Sequence, residues 1–237
     1  MAIIPPADAR KIGELLANEL SKDVHITLLN RPGGLMLPDR VQPAYDKVAD
    51  LMAELAVLSP YIQVAKIDVR KSPERLQEFK VDKVPVIVFE RETLRNIRFF
   101  GFPGGFGFSN VLQTIIQLSK GETGLAEEFI NEINALPGAL HLQVFVTPTS
   151  AQCSLMAGLA ISMALATERV TTDVIEATEF VELTKSYNVT DVPATVINDA
   201  AMVVGAMRAG ELMEQLRQIF SDGGGGVSPG GAPQIQR

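Results

Sequence analysis

The chain has 237 residues, 46% hydrophobic and 21% charged, the balance of a globular protein long enough for two domains of ordinary size. Its formal charge of −7, with no run of lysine or arginine, argues against nucleic acid or an anionic membrane surface as partner. A single cysteine excludes an internal disulfide and fits a reducing, cytoplasmic setting, and MAIIPPADARKIGELL has no basic n-region or long apolar run, so no signal peptide is expected.

In chain order, the patterning predicts a helix over 6–21, a β-branched strand at 24–30 (VHITLLN), a helix over 43–58 and a strand at 62–69 (IQVAKIDV). Then FKVDKVPVIVFER, residues 79–91, sets an aromatic residue before a Val-Pro pair and an apolar strand. That segment runs on to Gly101 and an amphipathic helix bearing Val111, Leu112, Ile115, Ile116 and Leu118. A further helix over 123–136 is stopped by Leu136-Pro137-Gly138, the sharpest break in the chain.

The order then repeats. A strand at 142–148 (LQVFVTP), a helix over 150–166 and a strand at 170–177 (VTTDVIEA) lead to YNVTDVPATVIN at 187–198. Gly205 and a helix with Leu212, Leu216 and Ile219 follow. Pro85 and Pro193 are offset by 108 residues (193 − 85), so a β-α-β-α-β-β-α unit occurs twice, each copy preceded by a helix. The expected architecture is α/β: units 1–122 and 123–221, each a mixed sheet flanked by helices, with a disordered Gly/Pro-rich tail at 222–237. Leu142 to Thr167 carries no charge and is long enough for a membrane span, but Thr147, Pro148, Thr149, Ser150 and Gln152 interrupt it. It reads instead as a buried strand, a turn and a buried helix.

Residues 147–155, TPTSAQCSL, have the shape of a thiol-redox C-x-x-C motif with Ser150 at the first position and only Cys153 left. The repeated Val-Pro units, VFVTPTSAQCSL and GFPGGFGFSNVLQTI resemble the glutaredoxin-like protein disulfide oxidoreductases, which are tandem thioredoxin folds. They are also similar to the N-terminal region of the F subunit of alkyl hydroperoxide reductase. The resemblance implies two thioredoxin-like units and a role in cell redox homeostasis through a dithiol. It places the first cysteine at a helix N-terminus, where the dipole favours thiolate.

Here Ser150 replaces that nucleophilic cysteine and Cys153 holds the resolving position. The corresponding loop of the first unit, RPGGLMLPDR at 31–40, has no cysteine at all. One thiol cannot cycle between dithiol and disulfide without a partner thiol. Ser150 has no base in reach, because His25 and His141 lie near the starts of strands, and a helix N-cap accounts for it. Cys153 is expected to be buried beneath Leu155 and Met156, and FFGFPGGFGF, residues 99–108, to serve helix packing and contact between units.

In the resembled fold the two prolines are cis and face the motif, leaving Val84-Pro85 and Val192-Pro193 able to pair with an extended peptide. The expected function is therefore that of a degenerate, redox-impaired relative binding a peptide or protein partner through these faces. The alternative is a one-cysteine redox protein in which Cys153 carries glutathione or a mixed disulfide. No metal, cofactor or membrane is expected.

Overall fold

The computed structural model describes residues 2–32, 44–221 and 234–236. The first unit runs α1 (Pro6–Glu19), β1 (Val24–Asn30), α2 (Tyr45–Leu58), β2 (Ile62–Asp68), α3 (Glu74–Glu78), β3 (Val86–Arg91), β4 (Leu94–Phe100) and α4 (Phe106–Lys120). The second repeats it as α5 (Glu127–Ala135), β5 (Leu140–Val146), α6 (Ala151–Ala166), β6 (Val170–Glu176), α7 (Val181–Ser186), β7 (Ala194–Ile197), β8 (Ala201–Val204) and α8 (Ala209–Ser221). Helix ends follow local chemistry: Pro6 opens α1 at a position whose N–H has no helical partner, and Gly121 closes α4 at φ +73°.

The two sheets are one. Strand order is β2-β1-β3-β4-β6-β5-β7-β8, with a last short strand, β9 (Gln234–Gln236), beside β8. The units join by parallel pairing of β4 with β6, Ile97 to Phe100 opposite Thr172 to Ile175. The expected mixed sheet flanked by helices is present in each unit, and the two are continuous: each unit leaves an outer strand with free ladder groups, and joining two such edges satisfies both. Part of the tail lies within the described residues. Gln234–Gln236 form a strand, again because β8 has an outer edge to offer, while the rest of 222–237 lies outside the described residues, as does most of loop 31–40.

Side chains alternate across the sheet with period two, so each strand feeds two cores. On one face Leu28, Ile87, Phe99, Val144, Val174 and Val203 pack under the long helices α1, α2, α4, α6 and α8 in a core spanning both units. On the other, Leu29, Val86, Phe100, Phe145, Ile175 and Met202 meet Phe79 and the segment around α7. Helix α6 carries Cys153, Met156, Ala157, Ala160, Ile161 and Ala164 inward at three- and four-residue spacing. It is uncharged because it is packed on several sides. Leu142–Thr167 is thus strand, turn and helix, and among the described residues no helix is long and apolar enough to cross a membrane.

Polar side chains also bridge the units. Arg98 of β4 forks onto Asp173 of β6, Nε donating to Oδ1 and Nη2 to Oδ2 at 2.8 Å, while Nη1 donates to the Lys80 carbonyl at 2.9 Å. His141 Nε2 lies 2.8 Å from the same Oδ2, so that nitrogen carries the proton. Burial alone would raise the Asp173 carboxyl; the His141 hydrogen bond and the Arg98 charge outweigh it and hold Asp173 below the usual carboxylate range. Asn96 Nδ2 donates to the Ala164 and Val170 carbonyls, both at 2.8 Å, tying β4 to the end of α6.

Candidate functional site

Strands β1, β4, β6 and β5 run in one direction, and β3 and β7 run against them. The ends of β1, β4, β6 and β5 and the starts of β3 and β7 therefore share one edge of the sheet. Val84-Pro85, Gly101, Pro148, Glu176, Val192-Pro193 and Gly205 all gather there.

The two proline turns are built alike. Both X-Pro bonds are cis, and the carbonyls of Pro85 and Pro193 accept the N–H groups of Gly101 (3.0 Å) and Gly205 (2.7 Å). These glycines sit at φ +91° and +96°, backbone that side-chain-bearing residues rarely adopt. Val84 and Val192 are half-buried, precede their strands, and make no backbone hydrogen bond with another described residue. Val192 touches both cores, so its position is fixed while its peptide groups find no backbone partner among the described residues.

At the motif, Ser150 is the N-cap of α6. Its Oγ accepts the N–H of Cys153 at 3.3 Å, satisfying one of the free donors of the first turn. Cys153 is 1% exposed. The expected cover is corrected in part: Met156 is buried, but Leu155 is 64% exposed because it lies on the outer side of the same helix. The roof over Cys153 comes from the first unit.

Phe106 N–H donates to the Pro148 carbonyl at 3.0 Å, pressing the loop 101–105 onto the motif loop. Gly105 is at φ +53°, and a Cβ there would stand 2.3 Å from the Pro148 oxygen. Asn110 of α4 locks the roof to α6: its Nδ2 donates to the Ser154 carbonyl at 3.2 Å, and its Oδ1 accepts from Ser154 Oγ at 2.9 Å. Beneath lies a cavity of about 20 Å³, room for about one water, lined by Phe102, Phe106, Asn110, Pro148, Cys153 and Glu176.

In the first unit a different group stands at the equivalent place. Glu179, from the second unit, accepts the N–H of Ala44 just ahead of α2 at 2.8 Å and that of Phe102 at 3.0 Å. Burial raises the Glu179 carboxyl above its ordinary value, and the neighbouring Glu176 adds to this, against the two N–H bonds and Lys47. Glu176 in turn accepts from Thr178 Oγ1 and from the Glu179 N–H, both at 2.7 Å. Asn30 Nδ2 donates to the Tyr45 carbonyl at 2.9 Å, fixing the end of β1 against α2. Among the described residues, no three His, Cys, Asp or Glu side chains gather where a metal ion could be held.

The structure brings Ser150 and Cys153 to one helix end, and Val192-Pro193 to the same edge as Val84-Pro85. His25 and His141 lie at the far ends of their strands, as expected from the sequence. Glu176, Glu179 and Asn110 were not singled out in the sequence: Glu179 and Asn110 act through contacts between units, which no local pattern reports, and Glu176 through short-range bonds to Thr178 and Glu179.

A shared edge with paired cis Val-Pro turns is the arrangement of a thioredoxin-like fold, here in two tandem units. Residues 140–218 match the family model described as a thioredoxin domain. The chain is 25% identical over 170 residues to the F subunit of alkyl hydroperoxide reductase in Staphylococcus aureus, covering 72% of this chain and 31% of that protein. It thus spans about a third of the length of the curated relatives it matches.

Two solved structures share the fold. The protein disulfide oxidoreductase of Aeropyrum pernix superposes with a TM-score of 0.80 at 21% identity, covering 97% of this chain and 98% of that one. The NTD_N/C domain of the alkyl hydroperoxide reductase AhpF of Enterococcus faecalis gives 0.78 at 20% identity, covering 90% and 99%. The resemblance drawn from the sequence holds: the chain is thioredoxin-like, and similar to the N-terminal region of alkyl hydroperoxide reductase AhpF.

Proposed function

We propose that this protein is a redox-impaired relative of the protein disulfide oxidoreductases that binds a peptide or protein partner at its Val-Pro turns. The observation carrying this reading is the contrast between the two halves of the site. Ser150 is engaged as a helix cap and Cys153 is sealed under α4, so the sulfur chemistry has neither a partner thiol nor access. The Val192 peptide groups have no backbone partner among the described residues, and on the outer face of α6 Ala151, Gln152 and Leu155 are exposed and uncharged. An extended, mostly apolar segment could pair with Val192 and lay a side chain against Leu155. Burial of Cys153 disfavours the alternative of a glutathione adduct or mixed disulfide. A cytoplasmic setting is supported by the lone free thiol.

Amide NMR tests the reading with an extended apolar probe, the carboxymethylated B chain of insulin. The Val192 and Val84 N–H signals should shift saturably, and the unmodified protein should not reduce insulin disulfides with dithiothreitol-recycled turnover. Shifts confined to other surfaces, or turnover abolished by Cys153→Ala, would refute it. Ser150→Cys should create a measurable dithiol activity.

A further inference from the structure

We infer that the outer edge of β8 is an acceptor for one more parallel strand, and that the chain's own Gln234–Gln236 fills it in cis. The internal repeat carries the argument. Gly101 and Gly205 end β4 and β8 at the same point of each unit, so Ile97, Arg98 and Phe99 correspond to Ala201, Met202 and Val203. In the first unit these three positions pair, in parallel, with Thr172, Asp173 and Val174 of β6. In the second, the equivalent three pair, also in parallel, with Gln234, Ile235 and Gln236. The tail strand thus stands on β8 where a following unit would stand.

The junction between units explains why such an edge exists. β4 and β6 are different edges of the repeated unit, so the joint is head to tail and does not close on itself. Two units joined this way leave a β4-type edge at β8 and a β6-type edge at β2. Exposed edges invite further strands unless defended. On β2, Lys66 and Gln63 are exposed. The sequence of β8, Ala-Met-Val-Val, offers neither charge nor proline.

A three-residue strand is too short to hold such an edge as a free peptide. Tethering changes this: Gln234 is 13 residues beyond Ser221 (234 − 221), and a chain of that length reaches at most ~45 Å. A short tether gives an effective concentration on the order of millimolar. A longer extended segment from another molecule, running parallel to β8, would compete for the same place.

Hydrogen exchange on the full chain tests this, comparing the parent with Gln234→Pro/Ile235→Pro. Alternate residues of a parallel strand face its partner, so one of these two prolines must remove a ladder donor. The Met202 and Val204 amides, which alternate with those turned to β7, should exchange about tenfold faster or more in the variant, with the melting temperature moving by no more than about a degree. Equal exchange in parent and variant would overturn the inference. Protection retained in a variant that has become a dimer would overturn the tail as occupant and assign the edge to a second copy.

Discussion

Replacing Asp173 with alanine should strand the Arg98 guanidinium in the joint between the two units. Both side chains are buried, and Arg98 spends two of its donors on this carboxylate. Removing one partner of a buried ion pair costs about 3–5 kcal/mol, since the other charge is left without compensation. Arg98 keeps its bond to the Lys80 carbonyl, which places the expected loss near the lower end, about 3 kcal/mol. In urea unfolding followed by far-ultraviolet circular dichroism, that is a fall in midpoint of about 1 M for a slope of ~3 kcal/mol/M. The double change Arg98→Met with Asp173→Leu removes the charge as well as its partner, and should recover about 2 kcal/mol relative to the single variant. Asp173 is held below its ordinary value of 3.8, so its contribution is complete above that pH and disappears as pH falls through the folded-state value. The parent should therefore lose more stability than either variant on acidification below pH 3.8. A single variant within about 1 kcal/mol of the parent, or a double variant less stable than the single, would refute the reasoning.

Glu179 works in the opposite sense. Its carboxyl is raised, so its contribution is complete below the ordinary value of 4.5 and is lost as pH rises through the folded-state value; Glu179→Gln should flatten the fall in stability above pH 4.5, and an unchanged profile would count against it. Gly105→Ala should cost about 2 kcal/mol or more in thermal or urea unfolding, because positive φ and the close Pro148 oxygen both resist a side chain. The same change should make Cys153 react faster with Ellman's reagent, which in the parent should label it readily only after unfolding; labelling of native parent within seconds would show the roof is open. Ser150→Ala should remove about 1 kcal/mol with no loss of partner binding, read by calorimetry and the NMR titration together.

Much of this was legible in the chain. The 108-residue offset of the prolines, the glycines that follow them and the two runs of alternating apolar residues set out the tandem units. Ser150 as a cap followed from its residue type and the lack of a base in reach, and Cys153 turned inward from its place in the first turn of a buried helix. What escaped was contact across the joint. Arg98 and Asp173 are 75 residues apart and each sits in an ordinary-looking strand, so neither position advertises a buried pair. Leu155 looked like cover for Cys153 because local sequence shows an apolar neighbour but not the helix face it occupies. The actual cover, Phe106 and Asn110, belongs to the other unit, and Glu179 reaches Ala44 from 135 residues away.

The common direction of β3 and β7 limits the shape of any ligand that touches both turns. Four strand steps separate them, through β4, β6 and β5. At roughly 4.8 Å per step the two openings lie about 19 Å apart. Each step also rotates the strand axis by about 20–25°, so the second opening is swung by roughly 80–100° relative to the first. A straight extended segment that runs alongside Val84 must therefore cross Val192 almost at a right angle. No unbent strand can zip onto both; a ligand that occupies the pair has to turn a corner between them or arrive as two separate segments.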